Sequence, residues 1–292
     1  MEGVIRKALS GFYTVSCLEG AIVCKPRGRF RAQKWTPLVG DRVDVSQNPD
    51  GSGNLESILP RKNEFQRPPI ANVDCLLILA SGAIPVTDPF LIDRITVECE
   101  RKNCAAAVVL NKTDLDAAEE LYSIYANSPY PCFRVSTVTG HGLDELADFM
   151  DGKICCLTGN SGVGKSSLLN RLLPTLNAEV KEVSQKLGRG KHTTRHVELY
   201  PFRTGFIADT PGFAAWESFA EVPLRKTELE SLFPDLAACE GFCRYDDCSH
   251  RKEPDCRVRA AVENGALPLS RYNSYVRLYN ELESRKDWQV AK

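Results

Sequence analysis

The segment Gly159-Asn160-Ser161-Gly162-Val163-Gly164-Lys165-Ser166 fits G-x-x-x-x-G-K-[ST], the pattern of a phosphate-binding loop. Its flanks agree. Lys153-Ile154-Cys155-Cys156-Leu157 reads as a short buried strand. Ser167-Leu168-Leu169-Asn170-Arg171-Leu172-Leu173 reads as an apolar helix stopped by Pro174. Glycines let backbone N–H groups curl round a polyanion without Cβ clashes, and the helix N-terminus adds the positive end of its dipole. In this reading Lys165 reaches the β- and γ-phosphates and the Ser166 hydroxyl binds Mg²⁺. The alternative is a chance match in a Gly/Ser loop.

The chain around this loop is large enough for two or three domains of roughly 100–200 residues. With 43% hydrophobic residues it can bury sizeable cores. A net charge of −1 gives no global pull toward nucleic acid or membrane, so any basic patch must be local. Met1-Glu2-Gly3-Val4-Ile5-Arg6-Lys7 lacks a signal-peptide apolar run, and no stretch reaches the ~18 apolar residues of a membrane span. The expectation is a cytoplasmic protein without membrane attachment, and a monomer. Of twelve cysteines, Cys75, Cys155 and Cys156 lie in apolar strands and read as small hydrophobes. Cys239, Cys243, Cys248 and Cys256 crowd one polar stretch, which in a reducing compartment favours metal over disulfide.

Residues 1–66 form a first unit. Phe12-Tyr13-Thr14-Val15, Ala21-Ile22-Val23-Cys24 and Arg42-Val43-Asp44-Val45 alternate with turn signals, the pattern of a small closed barrel. Lys25, Arg27, Arg29, Arg31 and Lys34 form a run without acids. On a strand, Arg27, Arg29 and Arg31 would share one face, with Phe30 and Trp35 beside them as stacking surfaces. Cations for phosphates and aromatic faces for bases suit RNA; the alternative is an ordinary solvated strand face.

Pro68-Pro69 marks a linker into a second unit, residues 67–222. Val73-Asp74-Cys75-Leu76-Leu77-Ile78-Leu79-Ala80, a helix over 90–101 and Ala105-Ala106-Ala107-Val108-Val109-Leu110 predict a parallel sheet covered on both sides. The second of these strands ends in Asn111-Lys112-Thr113-Asp114, the N-K-x-D pattern. A carboxylate at Asp114 accepts two bonds from guanine N1–H and the exocyclic amine, a pattern adenine lacks, which argues against ATP. Asn111 would hold the loop and the Lys112 stem would cover the ring. A position at a strand's C-terminal end is where open α/β sheets bind ligands. Ser136-Thr137, after Cys132-Phe133-Arg134-Val135, would offer a backbone N–H to guanine O6.

Beyond Pro174 lies a long polar segment with Gly188-Arg189-Gly190-Lys191-His192-Thr193-Thr194. It suits a switch that closes on Mg²⁺ and the γ-phosphate. The strand Gly205-Phe206-Ile207-Ala208 runs into Asp209-Thr210-Pro211-Gly212, a D-x-x-G motif. Asp209 would meet Mg²⁺ through water and the Gly212 N–H would sense the γ-phosphate. N-K-x-D precedes the phosphate loop, so the order is circularly permuted, which a fold survives when its termini lie close. In residues 223–292, a helix is expected over 224–233. Cys243, Cys248, His250 and Cys256 then form a closed tetrahedral set suited to structural Zn²⁺, with Cys239 a spare. Helices follow over 257–265 and 272–283, where Tyr272, Tyr275 and Tyr279 make a core stripe.

The order N-K-T-D, G-N-S-G-V-G-K-S, G-K-H-T-T, D-T-P-G, with a small barrel before it and C-x4-C-x-H-x5-C after it, resembles the small-ribosomal-subunit-dependent GTPases of the RsgA (YjeQ) type. The resemblance covers essentially the whole chain. It implies an N-terminal all-β OB-fold, a central α/β circularly permuted P-loop GTPase domain and a C-terminal helical zinc-binding domain. It also implies Mg²⁺-dependent GTP hydrolysis to GDP, stimulated by the small subunit. The implied role is late maturation of the 30S subunit through contact with 16S rRNA, with release after hydrolysis. The nucleotide-binding residues carried over are Asn111, Lys112, Asp114 and positions 159–167, Ser167 included. The zinc ligands are Cys243, Cys248, His250 and Cys256. His192 matches the family's proposed catalytic histidine, and Phe213 stands where many GTPases place a water-orienting Gln. The family reads Gly-Arg-His where this chain has Gly190-Lys191-His192, and either Thr193 or Thr194 would hold Mg²⁺. A nucleotide-gated RNA-binding scaffold without relevant hydrolysis is the competing reading.

Overall fold

The computed structural model describes residues 1–28, 30, 35–174, 197–209 and 224–284. Among the described residues, one sheet of eleven strands runs through the barrel and the nucleotide-binding unit. The barrel consists of β1 (Glu2–Leu9), β2 (Phe12–Cys17), β3 (Gly20–Pro26), β4 (Arg42–Gln47) and β5 (Gly53–Ile58). It closes because β1 pairs with both β2 and β4. Ile5, Val15, Ile22, Cys24, Val43, Val45 and Leu55 point inward. Gly53 is required where β5 crosses β3, since a Cβ there would sit 2.7 Å from the Cys24 sulfur. A separate hairpin, β6 (Glu64–Gln66) and β7 (Pro69–Ala71), joins the barrel to the next unit.

In that unit β8 (Cys75–Ala80), β9 (Ala105–Leu110), β10 (Cys132–Arg134), β11 (Ile154–Gly159) and β13 (Gly205–Asp209) are parallel, and β12 (Glu198–Phe202) runs antiparallel to β13. Strand alternation divides two cores. Leu76, Ile78, Val108 and Cys156 meet Ile92, Ile95 and Cys99 of α1 (Pro89–Arg101) on one face. Cys75, Leu77, Leu79, Val109 and Cys155 face the other way. There they meet Leu146 and Met150 of α3 (Leu143–Met150) and Leu168 of α4 (Lys165–Leu172). Both strand faces are buried, which is why these strands read as continuous apolar runs. Burial pushes the Cys155 thiol up to about 12, as fits its reading as a small hydrophobe. The helix α1 starts where Asp88 caps the Phe90 N–H at 2.9 Å and Pro89 fills its first turn. A short α2 (Glu119–Tyr125) lies between β9 and β10.

The C-terminal unit has α5 (Pro234–Ala237), α6 (Arg257–Glu263) and α7 (Leu269–Glu283). Its core takes Phe90 and Val97 from α1, so it packs against the nucleotide-binding unit. A buried ion cluster pins the two together. Arg271 is wholly buried, with Nη1 2.6 Å from Asp93 Oδ1 and Nε 2.7 Å from Asp235 Oδ2. Tyr125 also donates to Asp93, at 2.7 Å. The helix expected over 224–233 is instead two 3-10 turns, Lys226–Glu228 and Glu230–Leu232. Pro234 disfavours an α conformation at Phe233, and the tighter turns let Leu229 and Phe233 both reach full burial.

Candidate functional site

Gly159 ends β11 at φ +130°, and a Cβ on it would lie 2.2 Å from the Leu79 carbonyl oxygen. Gly164, at φ +100°, precedes α4, and a Cβ there would come within 2.2 Å of Asn111 Nδ2. That space belongs to Asn111, which is 1% exposed. Its amide donates to the Val163 carbonyl at 2.9 Å, and its Oδ1 accepts from the Thr137 N–H at 3.3 Å. Asn111 therefore links the phosphate loop to both base-side loops. Lys165 Nζ donates to the Gly159 and Asn160 carbonyls at 2.7 and 2.6 Å, so its ammonium lies over the loop 159–164. Partial burial lowers its pKa. Ser161, Ser166 and Ser167 are exposed at the rim of the loop and the first turn of α4.

On the base side, Lys112 adopts a left-handed backbone, φ +66°, and Nζ donates to the Ile84 carbonyl at 2.8 Å. The Thr113 N–H donates to Val135 at 3.2 Å, tying the motif to the end of β10. Asp114 is exposed, and its Oδ1 accepts from the Ser136 hydroxyl at 2.6 Å. The Ser136 N–H donates to the His141 carbonyl at 3.0 Å. Ser136 thus orients the Asp114 carboxylate through its hydroxyl, a bond that sequence reasoning missed. The Ser-Thr dipeptide at the end of β10 was the available signal. Asp209 ends β13, with its backbone paired to Glu198. His192, Thr193, Thr194, Thr210, Gly212 and Phe213 lie outside the described residues.

At the C-terminal unit, the ligand atoms of Cys243, Cys248, His250 and Cys256 all lie within 4.8 Å of one another. His250 turns Nδ1 to the sulfurs, 3.5 Å from Cys243 and 3.3 Å from Cys256. Its Nε2 is 3.0 Å from Glu230 Oε2, though off hydrogen-bond alignment. Glu230 is itself held by Arg257 at 2.5 Å, and Tyr272 donates to the His250 carbonyl at 2.9 Å. Three sulfurs and an imidazole nitrogen converging on one point make a donor set that fits a tetrahedral metal ion. Cys239 is outside the set; its thiol donates to the Asp235 carbonyl.

The basic run of the barrel departs from expectation. Strand β3 stops at Pro26, which has no N–H to extend the ladder, and Gly28 and Phe30 are helical. Phe30 is 4% exposed and packs in the core, so it offers no stacking face. Arg27 pairs with Glu56 at 2.7 Å, and Trp35 is 54% exposed. Arg29, Arg31 and Lys34 lie outside the described residues. No helix among the described residues is long and apolar enough to cross a membrane.

The family model described as RsgA GTPase matches residues 58–219, and that described as RsgA N-terminal domain matches residues 2–55. Small ribosomal subunit biogenesis GTPase RsgA 2 of Oceanobacillus iheyensis is 43% identical over 291 residues, covering 98% of both chains. Small ribosomal subunit biogenesis GTPase RsgA of Carboxydothermus hydrogenoformans is 42% identical over 289 residues, covering 97% of this chain and 98% of that one. YjeQ from Thermotoga maritima superposes with a TM-score of 0.83 at 36% identity, covering 98% of this chain and 99% of that chain. YloQ, described as a circularly permuted GTPase, gives 0.82 at 36% identity, covering 98% and 96%. With the permuted motifs and the barrel in place, the chain belongs to the RsgA GTPase family.

Proposed function

We propose that this protein hydrolyses GTP to GDP on the small ribosomal subunit during its biogenesis, with nucleotide state and subunit binding forming one coupled equilibrium. The observation that carries the reading is the Asn111 amide donating to the Val163 carbonyl. It sets a guanine-reading motif and a phosphate loop on one site at the C-terminal ends of β9 and β11, as the family membership leads one to expect. The Asp114 carboxylate would read the guanine edge, and residues 159–167 would hold the phosphates. Mg²⁺ entering with GTP would meet Ser166 and Thr193 or Thr194, with Asp209 acting through water and Gly212 at the γ-phosphate. His192 would orient the attacking water.

Cys243, Cys248, His250 and Cys256 would hold one structural Zn²⁺, which supplies folding free energy to the ligand loop. The partners would be GTP or GDP and the 30S subunit with its 16S rRNA, with the protein acting in the cytoplasm as a monomer. Arg27, Arg29, Arg31, Lys34 and Trp35 are the proposed barrel contacts to RNA. Single-turnover GTP hydrolysis with and without purified 30S subunits tests the reading. The rate should rise with subunits; an equal rate would overturn stimulated hydrolysis.

A further inference from the structure

We infer that the loop of residues 81–87, between β8 and α1, is a third positioning element of the nucleotide site, with Ser81 and Thr87 setting the pose of Lys112. The inference rests on the guanine-nucleotide reading above. The loop touches both the N-K-x-D segment and the phosphate loop. Its Ile84 carbonyl accepts from Lys112 Nζ at 2.8 Å. Pro85 stands against the phosphate loop, where a Cβ on Gly162 would lie 3.3 Å from its ring. Gly82 abuts the chain just after N-K-x-D: a Cβ there would come 2.5 Å from Asp116 Oδ1 and 3.0 Å from Ala118 Cα.

The loop does not owe its shape to burying its own tip. Ile84 and Val86 are 87% and 64% exposed. Its base is fixed by reciprocal bonds between two buried residues. The Ser81 N–H donates to Thr87 Oγ1 at 3.0 Å and the Thr87 N–H returns to the Ser81 carbonyl at 2.9 Å. The Ser81 hydroxyl bridges both backbone groups of Ala83, at 3.0 and 3.1 Å. These bonds aim the Ile84 carbonyl at Lys112. Lys112 needs such a partner because its left-handed backbone is a conformation that non-glycine residues rarely hold unaided. With Nζ anchored, the Lys112 stem is set in place before a base arrives, so less freedom is lost on binding.

The test is the release rate of N-methylanthraniloyl-GDP from the full-length protein. Thr87→Val keeps the shape and removes the acceptor for Ser81. It should speed release about three- to tenfold, the scale of one hydrogen bond. Thr87→Ser, which keeps the hydroxyl, should stay near the wild-type rate. Lys112→Met should also speed release, and adding Thr87→Val to it should change little more, because the loop acts through that lysine. Wild-type release from folded Thr87→Val, or an undiminished Thr87→Val effect in the Lys112→Met background, overturns the inference. If Thr87→Val does not fold, Ser81→Ala is read the same way. Failure of both to fold would make the loop a structural strut and not a positioning element. Wild-type protein that fails to bind the GDP probe would instead sink the guanine-nucleotide reading itself.

Discussion

Asn111 is the residue on which the nucleotide site turns. Its amide fills the space a Cβ on Gly164 would take, so glycine and asparagine are required as a pair. Asp114 hangs from this frame with one carboxylate oxygen already bonded to Ser136. Asp114→Asn should therefore shift preference from GTP toward XTP, because the amide presents a donor where guanine N1–H also donates. Equilibrium binding of both nucleotides checks this, and an unchanged preference would remove the base assignment. His192→Ala should leave GTP affinity near wild type and lower subunit-stimulated turnover by about a hundredfold, the usual scale for a group assisting proton transfer. Unaltered stimulated turnover would move the water-orienting role elsewhere.

At the level of elements, the loop that carries the Cys3His group is where a bound ion would contribute most to folding. Phe242, just before Cys243, is 96% exposed and Tyr245, between Cys243 and Cys248, is 45% exposed, so these two aromatic rings bury little surface to fix the segment. Cys248→Ser should release zinc and unfold this loop while GTP binding persists. Metal analysis of the wild type should return one equivalent of zinc; none would refute the ligand set. The junction of α1 with α7 rests on Arg271 between Asp93 and Asp235. Arg271→Met should cost about 3–5 kcal/mol, since it leaves the buried Asp93 and the partly buried Asp235 without their cation. Urea denaturation gives the value, and a loss below about 1 kcal/mol would mean the cluster is solvated.

The strands β8, β9 and β11 and the helix α1 were legible in the sequence because burial on both faces leaves unbroken apolar runs, and because Asp88-Pro89 is a local start signal. The strand β1 was not: its pattern Glu2-Gly3-Val4-Ile5-Arg6-Lys7 has one fully buried side chain, and only pairing with β2, β4 and β12 makes it a strand. The phosphate-loop pattern and the Cys3His group carry their spacing within a short segment, so both could be picked out directly. The Ser136–Asp114 bond and the 81–87 loop join positions far apart in the chain, and no local pattern announces them.

Across the whole molecule, the nucleotide site lies in series with the barrel and the C-terminal unit. The β12–β13 hairpin lies between residues 175–196 and the D-x-x-G motif, and β12 also pairs with β1 of the barrel. The register is Lys7 opposite Glu198, with their side chains 2.9 Å apart. Residues 210–223 then lead to the C-terminal unit, which is packed on α1. A switch that responds to loss of the γ-phosphate would therefore be joined through the chain to the barrel and to the C-terminal unit. Linkage requires that the subunit change GTP affinity by the same factor by which GTP changes subunit affinity. The direct measurement is 30S affinity in a non-hydrolysable GTP analogue and in GDP, at one fixed salt concentration because phosphate contacts are strongly salt-dependent. The account predicts markedly tighter 30S binding with the GTP analogue, and a matching preference of the 30S-bound protein for that analogue over GDP. Equal 30S affinity in the two nucleotide states would contradict it.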